Sequence, residues 1–156
     1  MPPSMSPLSQ AESALKNHMA AGSVAGLIPI PWVSFAALTA VQLNMLRHLA
    51  EIYSVEFSKE IAKCAIASLV GGDLSVAISL GVAKVLPGPA VAISAVSGAI
   101  LATASTYALG KVFIQHFESG STFLTFDPSK VRAHYEELFS ASKSEHVAGS
   151  FVGIRP

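Results

Sequence analysis

Charge is what this chain has least of. Only 13% of its 156 residues are Asp, Glu, Lys or Arg, against 51% apolar residues, whereas soluble domains usually carry about 25% charge. The mean hydropathy is correspondingly positive, +0.53. A deficit of this size calls for an apolar neighbour, either lipid or another protein subunit. The ten basic residues are cancelled by ten acidic ones, so the electrostatic footprint of a nucleic-acid-binding protein is missing. Cysteine is almost absent. Cys64 stands alone, which excludes an intramolecular disulfide and fits a reducing compartment. In an apolar helix such a residue is expected as a small part of the core. The N-terminal MPPSMSPLSQ lacks both the basic stretch and the continuous apolar segment of a secretory signal.

Motifs that carry chemistry are missing as well. His18, His116, His134 and His146 are scattered, with no pair at metal-ligand spacing. There is no nucleophile elbow, phosphate-cradling glycine loop or dinucleotide fingerprint. No catalytic, cofactor-binding or metal-binding residue is assigned, and an enzyme is not expected.

What the chain does have is helical periodicity broken by proline pairs. From Ser9, with Glu12 three residues on as in a capping box, Ala11, Ala14 and Leu15 start an apolar face. Between Lys16 and Arg47 there is no charged residue at all. Inside that stretch Leu27-Ile-Pro-Ile-Pro-Trp32 interrupts the helix, since Pro29 and Pro31 remove two backbone donors. Pro31 can open the next helix, where its missing N–H is not needed. The reading is a helical hairpin over about 10–53. A linking helix follows over about 56–70, with Glu56, Lys59, Glu60 and Lys63 on its polar side.

After Gly71-Gly-Asp73 the pattern returns. Val85-Leu-Pro-Gly-Pro-Ala90 places Pro87, Gly88 and Pro89 at the turn of a second hairpin, about 74–118, and residues 85–110 are again uncharged. The two breaks overlay at a spacing of about 58 residues, within reach of a repeated supersecondary unit. Asp127-Pro128 then starts an amphipathic helix expected over 128–142, with Val131, Tyr135, Leu138 and Phe139 on one face. Residues 1–8 and 143–156 are expected as tails. The fold class is therefore all-α: two apolar hairpins with Pro-x-Pro turns and a C-terminal amphipathic helix, in one domain over 9–142.

Two sets of residues stand out as surfaces. Ser94, Gly98, Ala102, Thr106 and Gly110 recur every fourth residue, and Gly22 with Gly26 forms a shorter version. Such small-residue strips let helix backbones approach closely, in membranes or in Ala-rich soluble bundles. They are expected to pack the hairpins into a homo-oligomer. Asn44, Arg47, His48 and Glu51 share a helix face. An Arg–His–Glu set can support acid–base chemistry, but it sits where a charge-free helix emerges into polar surroundings, and a structural or interfacial role is the expectation. A spanning helix needs about 20 apolar residues. Segment 89–110 has that length and 31–46 does not, so re-entrant or partly inserted hairpins fit better than double spans. Lys84 weighs against deep insertion of the second tip. Trp32 suits either an interface or a core.

Gly26-Leu-Ile-Pro-Ile-Pro-Trp-Val-Ser-Phe35, Val41-Gln-Leu-Asn-Met-Leu-Arg47 and Leu49-Ala-Glu-Ile-Tyr53 resemble the domain-of-unknown-function family numbered 697. So do Leu86-Pro-Gly-Pro89, Ser105-Thr-Tyr-Ala-Leu-Gly110 and the run from Phe113 to Phe117. The resemblance covers about residues 19–140. It implies a helical domain of the kind found beside small GTPase domains and, in some members, in bacterial inner membranes. It carries over no catalytic residue. The chain has no GTPase domain, so nucleotide control would come from a partner. The expected function is a non-catalytic, membrane-associated scaffold at the cytoplasmic face, self-assembling and recruiting a cytoplasmic partner. The alternative is a soluble helical module that binds a small GTPase.

Overall fold

The structure, a computed structural model, describes residues 5–28, 30–71 and 89–152, and of residues 31, 32, 89–95 and 150–152 the backbone alone. These residues form α-helices and one 3₁₀ turn, with no strand among them: α1 (Pro7–Gly26), α2 (Pro31–Ile52), α3 (Lys59–Leu69), α4 (Pro89–Glu118), a 3₁₀ turn (Phe123–Thr125) and α5 (Pro128–Val152). The fold is all-α.

Local chemistry sets the helix ends. Helix α1 starts before the expected Ser9, because Ser6 is the cap: its Oγ accepts from the Ser9 N–H at 3.2 Å, and Pro7 takes the first helical position. Pro31 opens α2 and Pro89 opens α4 in the same way. Pro29, Pro87, Gly88 and the whole first limb of the second hairpin lie outside the described residues, as does the side chain of Trp32. Helix α2 stops where Ser54 turns left-handed (φ 54°) and the Val55 N–H reaches back to the Ala50 carbonyl at 2.8 Å. Gly120, at φ 79°, allows the corresponding stop after α4. Asp127 caps α5, its Oδ1 accepting from the backbone N–H and the hydroxyl of Ser129 at 3.0 and 2.6 Å.

Two expectations change. Helix α5 continues ten residues past 142, because Ser142 and His146 prolong the buried face and a lone Gly149 does not end a helix. Cys64 is exposed rather than part of the core. It lies four residues after Glu60 and next to Lys63, on the polar face of α3.

Helix α4 is central and packs against α1, α2 and α5. Its C-terminal half holds the core. Leu109, Val112, Phe113, Ile114 and Phe117 pack there with Leu15, Met45, Leu46 and Leu49, and α3 adds Ala62, Ile66 and Leu69. Phe113 lies at the middle of an aromatic cluster, stacked on Phe126 at 4.4 Å between centroids and in contact with Phe117 and Phe123. Tyr53 closes this end with a 2.5 Å hydrogen bond to Glu118, and burial followed by that carboxylate pushes its phenol well above the ordinary range.

Candidate functional site

Among the described residues the charges of this bundle stop at one level. Along α1 the last charged residue is Lys16; along α2 the first is Arg47; along α4 the first is Lys111; along α5 the last is Glu145. Contacts between helices place these four at similar height. Lys111 Nζ pairs with Glu12 at 2.8 Å, and Lys16, Lys111 and Glu145 line one cleft. Asn44 Nδ2 reaches His18 Nε2 at 3.3 Å, and the His18 and His48 rings meet edge to face at 5.8 Å. Beyond this level lie residues 17–28 and 30–46 and the N-terminal part of α4, none of them charged.

In that uncharged end the usual radial order of a soluble protein is reversed. Large apolar side chains point outward: Val24 is 65% exposed, Ile30 56%, Val96 50%, and Leu27 and Val33 48% each. Small and polar groups face inward. Gln42 and Thr106 are fully buried, and Gln42 Nε2 donates to the Ser105 hydroxyl at 3.2 Å. Thr106 and Thr103 donate to the carbonyls of Ala102 and Ala99, each at 2.8 Å. Among the described residues no buried side-chain polar atom is left without a partner.

The small-residue strip lies inside the chain. A Cβ on Gly26 would stand 2.5 Å from the Gly98 carbonyl oxygen, and one on Gly22 would stand 2.9 Å from Thr106 Oγ1. Gly110 is covered by Leu15, and Ala102 is 3% exposed. Gly22, Gly26, Gly98, Ala102, Thr106 and Gly110 thus seat α1 on α4 within one molecule, with Gly98 still partly exposed. The side chain of Ser94 lies outside the described residues.

The polar set on α2 divides in two. Arg47 and Glu51 pair with each other across one turn at 3.1 Å and face water. Asn44 and His48 turn to α1. His18 Nδ1 donates to the Ala14 carbonyl at 2.7 Å, which makes Nε2 the acceptor for Asn44 in the neutral ring. Among the described residues His48 has no hydrogen bond to Glu51 or Arg47, so the geometry of an acid–base relay is not assembled. No group of three or more His, Cys, Asp or Glu positioned to hold a metal occurs among the described residues either.

One cleft of about 350 Å³ opens between α1, α4 and α5 at the level where the charges begin. Leu15 and Met19 provide its apolar wall, and Glu12, Lys16, Lys111 and Glu145 its charges. Lys111 lies 5.9 Å from the Tyr107 ring centroid, and its ion pair holds Glu12 below the usual carboxylate range. The buried Ser142 and the partly buried His146 complete the α5 side, His146 Nδ1 donating to the Ser142 carbonyl at 2.7 Å. Sequence reasoning missed this cleft. Its only signal was that Lys16 and Lys111 are the charges that border the two uncharged stretches.

Val96–Glu118 within α4 is long and apolar enough to cross a membrane, by length and composition, and 61% of its most apolar window is buried inside the bundle. No solved structure matches the chain. Magnetosome membrane protein 22 of Magnetospirillum gryphiswaldense is 33% identical over 138 residues, spanning 86% of this chain and 71% of that protein. The family model described as domain of unknown function (DUF697) matches residues 8–144, with the Pro-x-Pro helix starts, the α1–α4 glycine contacts and the aromatic end all inside the match, and the chain belongs to that family.

Proposed function

We propose that the protein is a non-catalytic membrane-associated scaffold, embedded by its uncharged end with its charged end in the cytoplasm. The reversed radial order carries this reading. Helices in lipid associate through small residues and interhelical hydrogen bonds and leave large apolar side chains outside, and the uncharged end has that arrangement. From Lys16 to Gly26 α1 rises about 15 Å at 1.5 Å per residue, half of a hydrocarbon core about 30 Å thick. From Pro31 to Arg47 α2 rises about 24 Å on the same measure, so the α1–α2 end reaches into the hydrocarbon core without crossing it. Each half-exposed Val, Leu or Ile would contribute on the order of 1 kcal/mol on entering lipid. That the 33%-identical relative is named a membrane protein supports the same reading. The exposed thiol of Cys64, at the charged end, suits a reducing compartment.

Because the small-residue strip is filled within the chain, self-assembly falls to the outward face of α2, where Ala36 and Ala40 are exposed. The exposed polar face of α5, with Lys130, Arg132, Glu136 and Glu137, is the surface for a cytoplasmic partner.

Flotation with liposomes tests the anchor. The wild-type chain should float and resist an alkaline carbonate wash. The variant Val24→Ser/Leu27→Ser/Ile30→Ser/Val33→Ser should stay in the aqueous layer with its helical circular dichroism intact. A wild-type chain that remains aqueous as a monomer or dimer would overturn the proposal and turn attention to a soluble module that binds a GTPase. In mild detergent, Ala36→Leu/Ala40→Leu should lower the oligomer mass.

A further inference from the structure

The cleft between α1, α4 and α5 has features that an anchor alone does not require. It lies at the level where the charges begin, which on the membrane reading, on which this inference rests, is the height of the lipid headgroups. Its volume of about 350 Å³ is at the small end of the roughly 300–1,000 Å³ range of small-ligand pockets. Its four charges balance, two lysines against two glutamates, so it does not favour a ligand of high net charge. They are also unequally occupied. Lys111 and Glu12 hold each other at 2.8 Å. Among the described residues Lys16 and Glu145 have no ion pair within 4 Å, with each other or with any other residue. Lys16 acts on Glu12 only through its charge, without an ion-pair contact, so one cation and one anion that are not in contact face the same cleft, beside an apolar wall of Leu15 and Met19.

We propose that this cleft binds the headgroup of a zwitterionic phospholipid with a primary ammonium, as in phosphatidylethanolamine. The phosphate would lie against Lys16, with the Ser142 and His146 side of the cleft behind it. The ammonium would donate to Glu145, and the acyl chains would leave past Leu15 and Met19 towards the uncharged end. A choline headgroup offers no N–H to a carboxylate, and a glycerol headgroup offers no cation.

Native mass spectrometry of the full chain in mild detergent, titrated in turn with phosphatidylethanolamine, phosphatidylcholine and phosphatidylglycerol, reads the site. The wild-type chain should retain phosphatidylethanolamine about tenfold better than either other lipid, the effect expected of one charge-assisted hydrogen bond. Glu145→Gln should abolish that preference, and Lys16→Gln should weaken retention of all three. Equal retention of the three lipids by the wild-type chain, or a preference unchanged in both variants, overturns the proposal. Soluble glycerophosphoethanolamine and inorganic phosphate form the second arm. Thermal stabilisation by the former and not the latter supports a headgroup site, and equal stabilisation by both overturns it in favour of a plain phosphate site. Both variants leave the apolar end untouched and should still float with liposomes. A wild-type chain that binds glycerophosphoethanolamine but does not float would sink the membrane reading and leave the cleft assignment standing.

Discussion

The two ends of this bundle are built on opposite plans from the same helices. At the charged end, Phe113, Phe117, Phe123 and Tyr135 are buried, while Glu51, Arg47 and Lys130 face water. At the Pro-x-Pro end, Gly22, Gly26 and Gln42 are buried, while Val24, Leu27, Ile30 and Val33 are outside. Helix α4 runs through both and changes its packing chemistry along its length. Near Gly98 it offers backbone to α1, and near Phe113 it offers rings to α2, α3 and the 3₁₀ turn. In water, the hydrophobic effect rewards the first plan and opposes the second. One chain holding both points to two solvents meeting along its length, with Lys16, Arg47 and Lys111 near the boundary.

That contrast can be broken first at the charged end. Phe113→Ala removes the ring at the centre of the aromatic cluster and should cost about 3–5 kcal/mol of stability, as for other buried Phe-to-Ala changes. Denaturant unfolding of the solubilised protein would measure it. A loss below about 1 kcal/mol would mean that this end is not the packed core described here. At the other end the sensitive position is a glycine. Gly26→Ala pushes a methyl against the Gly98 carbonyl oxygen, and with backbone on the far side the contact cannot yield by a rotamer change. About 1–3 kcal/mol should be lost, the usual range for overpacking. An outward position at the same end should respond differently. Val33→Ser should leave folding stability within about 0.5 kcal/mol and still lower liposome partitioning. A folding loss as large as that of Gly26→Ala would show that Val33 packs against protein rather than lipid.

How far the sequence revealed all this depended on whether a signal was local. Proline starts, the Asp127 cap, the uncharged stretches and the amphipathic face around Tyr135 are each visible within one or two turns of chain, and the helices follow from them. The small-residue strip was equally legible as a packing surface, but its partner was not. Periodicity says that Gly26 and Gly98 seek close neighbours and cannot say that they are each other's neighbour in one molecule. The overrun of α5 has the same origin, since Ser142 and His146 look polar in sequence and are drawn inward only by α4. The cleft was the least legible feature of all. Glu12 and Lys111 are 99 residues apart, and Glu145 lay in a segment expected as a tail.

The smallest effect sharpens the comparison from the side of acid. Glu12 and Asp127 belong to the charged end, and both carboxyls titrate below their ordinary range. Glu12 is held down by its hydrogen bond to Lys111 and by that residue's charge, and Asp127 by its hydrogen bonds from Ser129. A carboxyl depressed in the folded state adds stability above its unfolded pKa, and that contribution disappears as the pH falls through the folded value. The stabilisation from these two carboxyls should therefore be complete from neutral pH down to the ordinary carboxylate range near pH 4, and be lost below it. Asp127→Asn keeps an oxygen for the Ser129 N–H but cannot titrate. It should melt slightly lower than the wild-type chain at neutral pH and approach it as the pH falls below the ordinary Asp pKa. The described residues of the uncharged end add no carboxylate to this curve. A melting curve at pH 3 that stayed as far from the variant's as at pH 7 would mean that Asp127 is not the charged cap of α5.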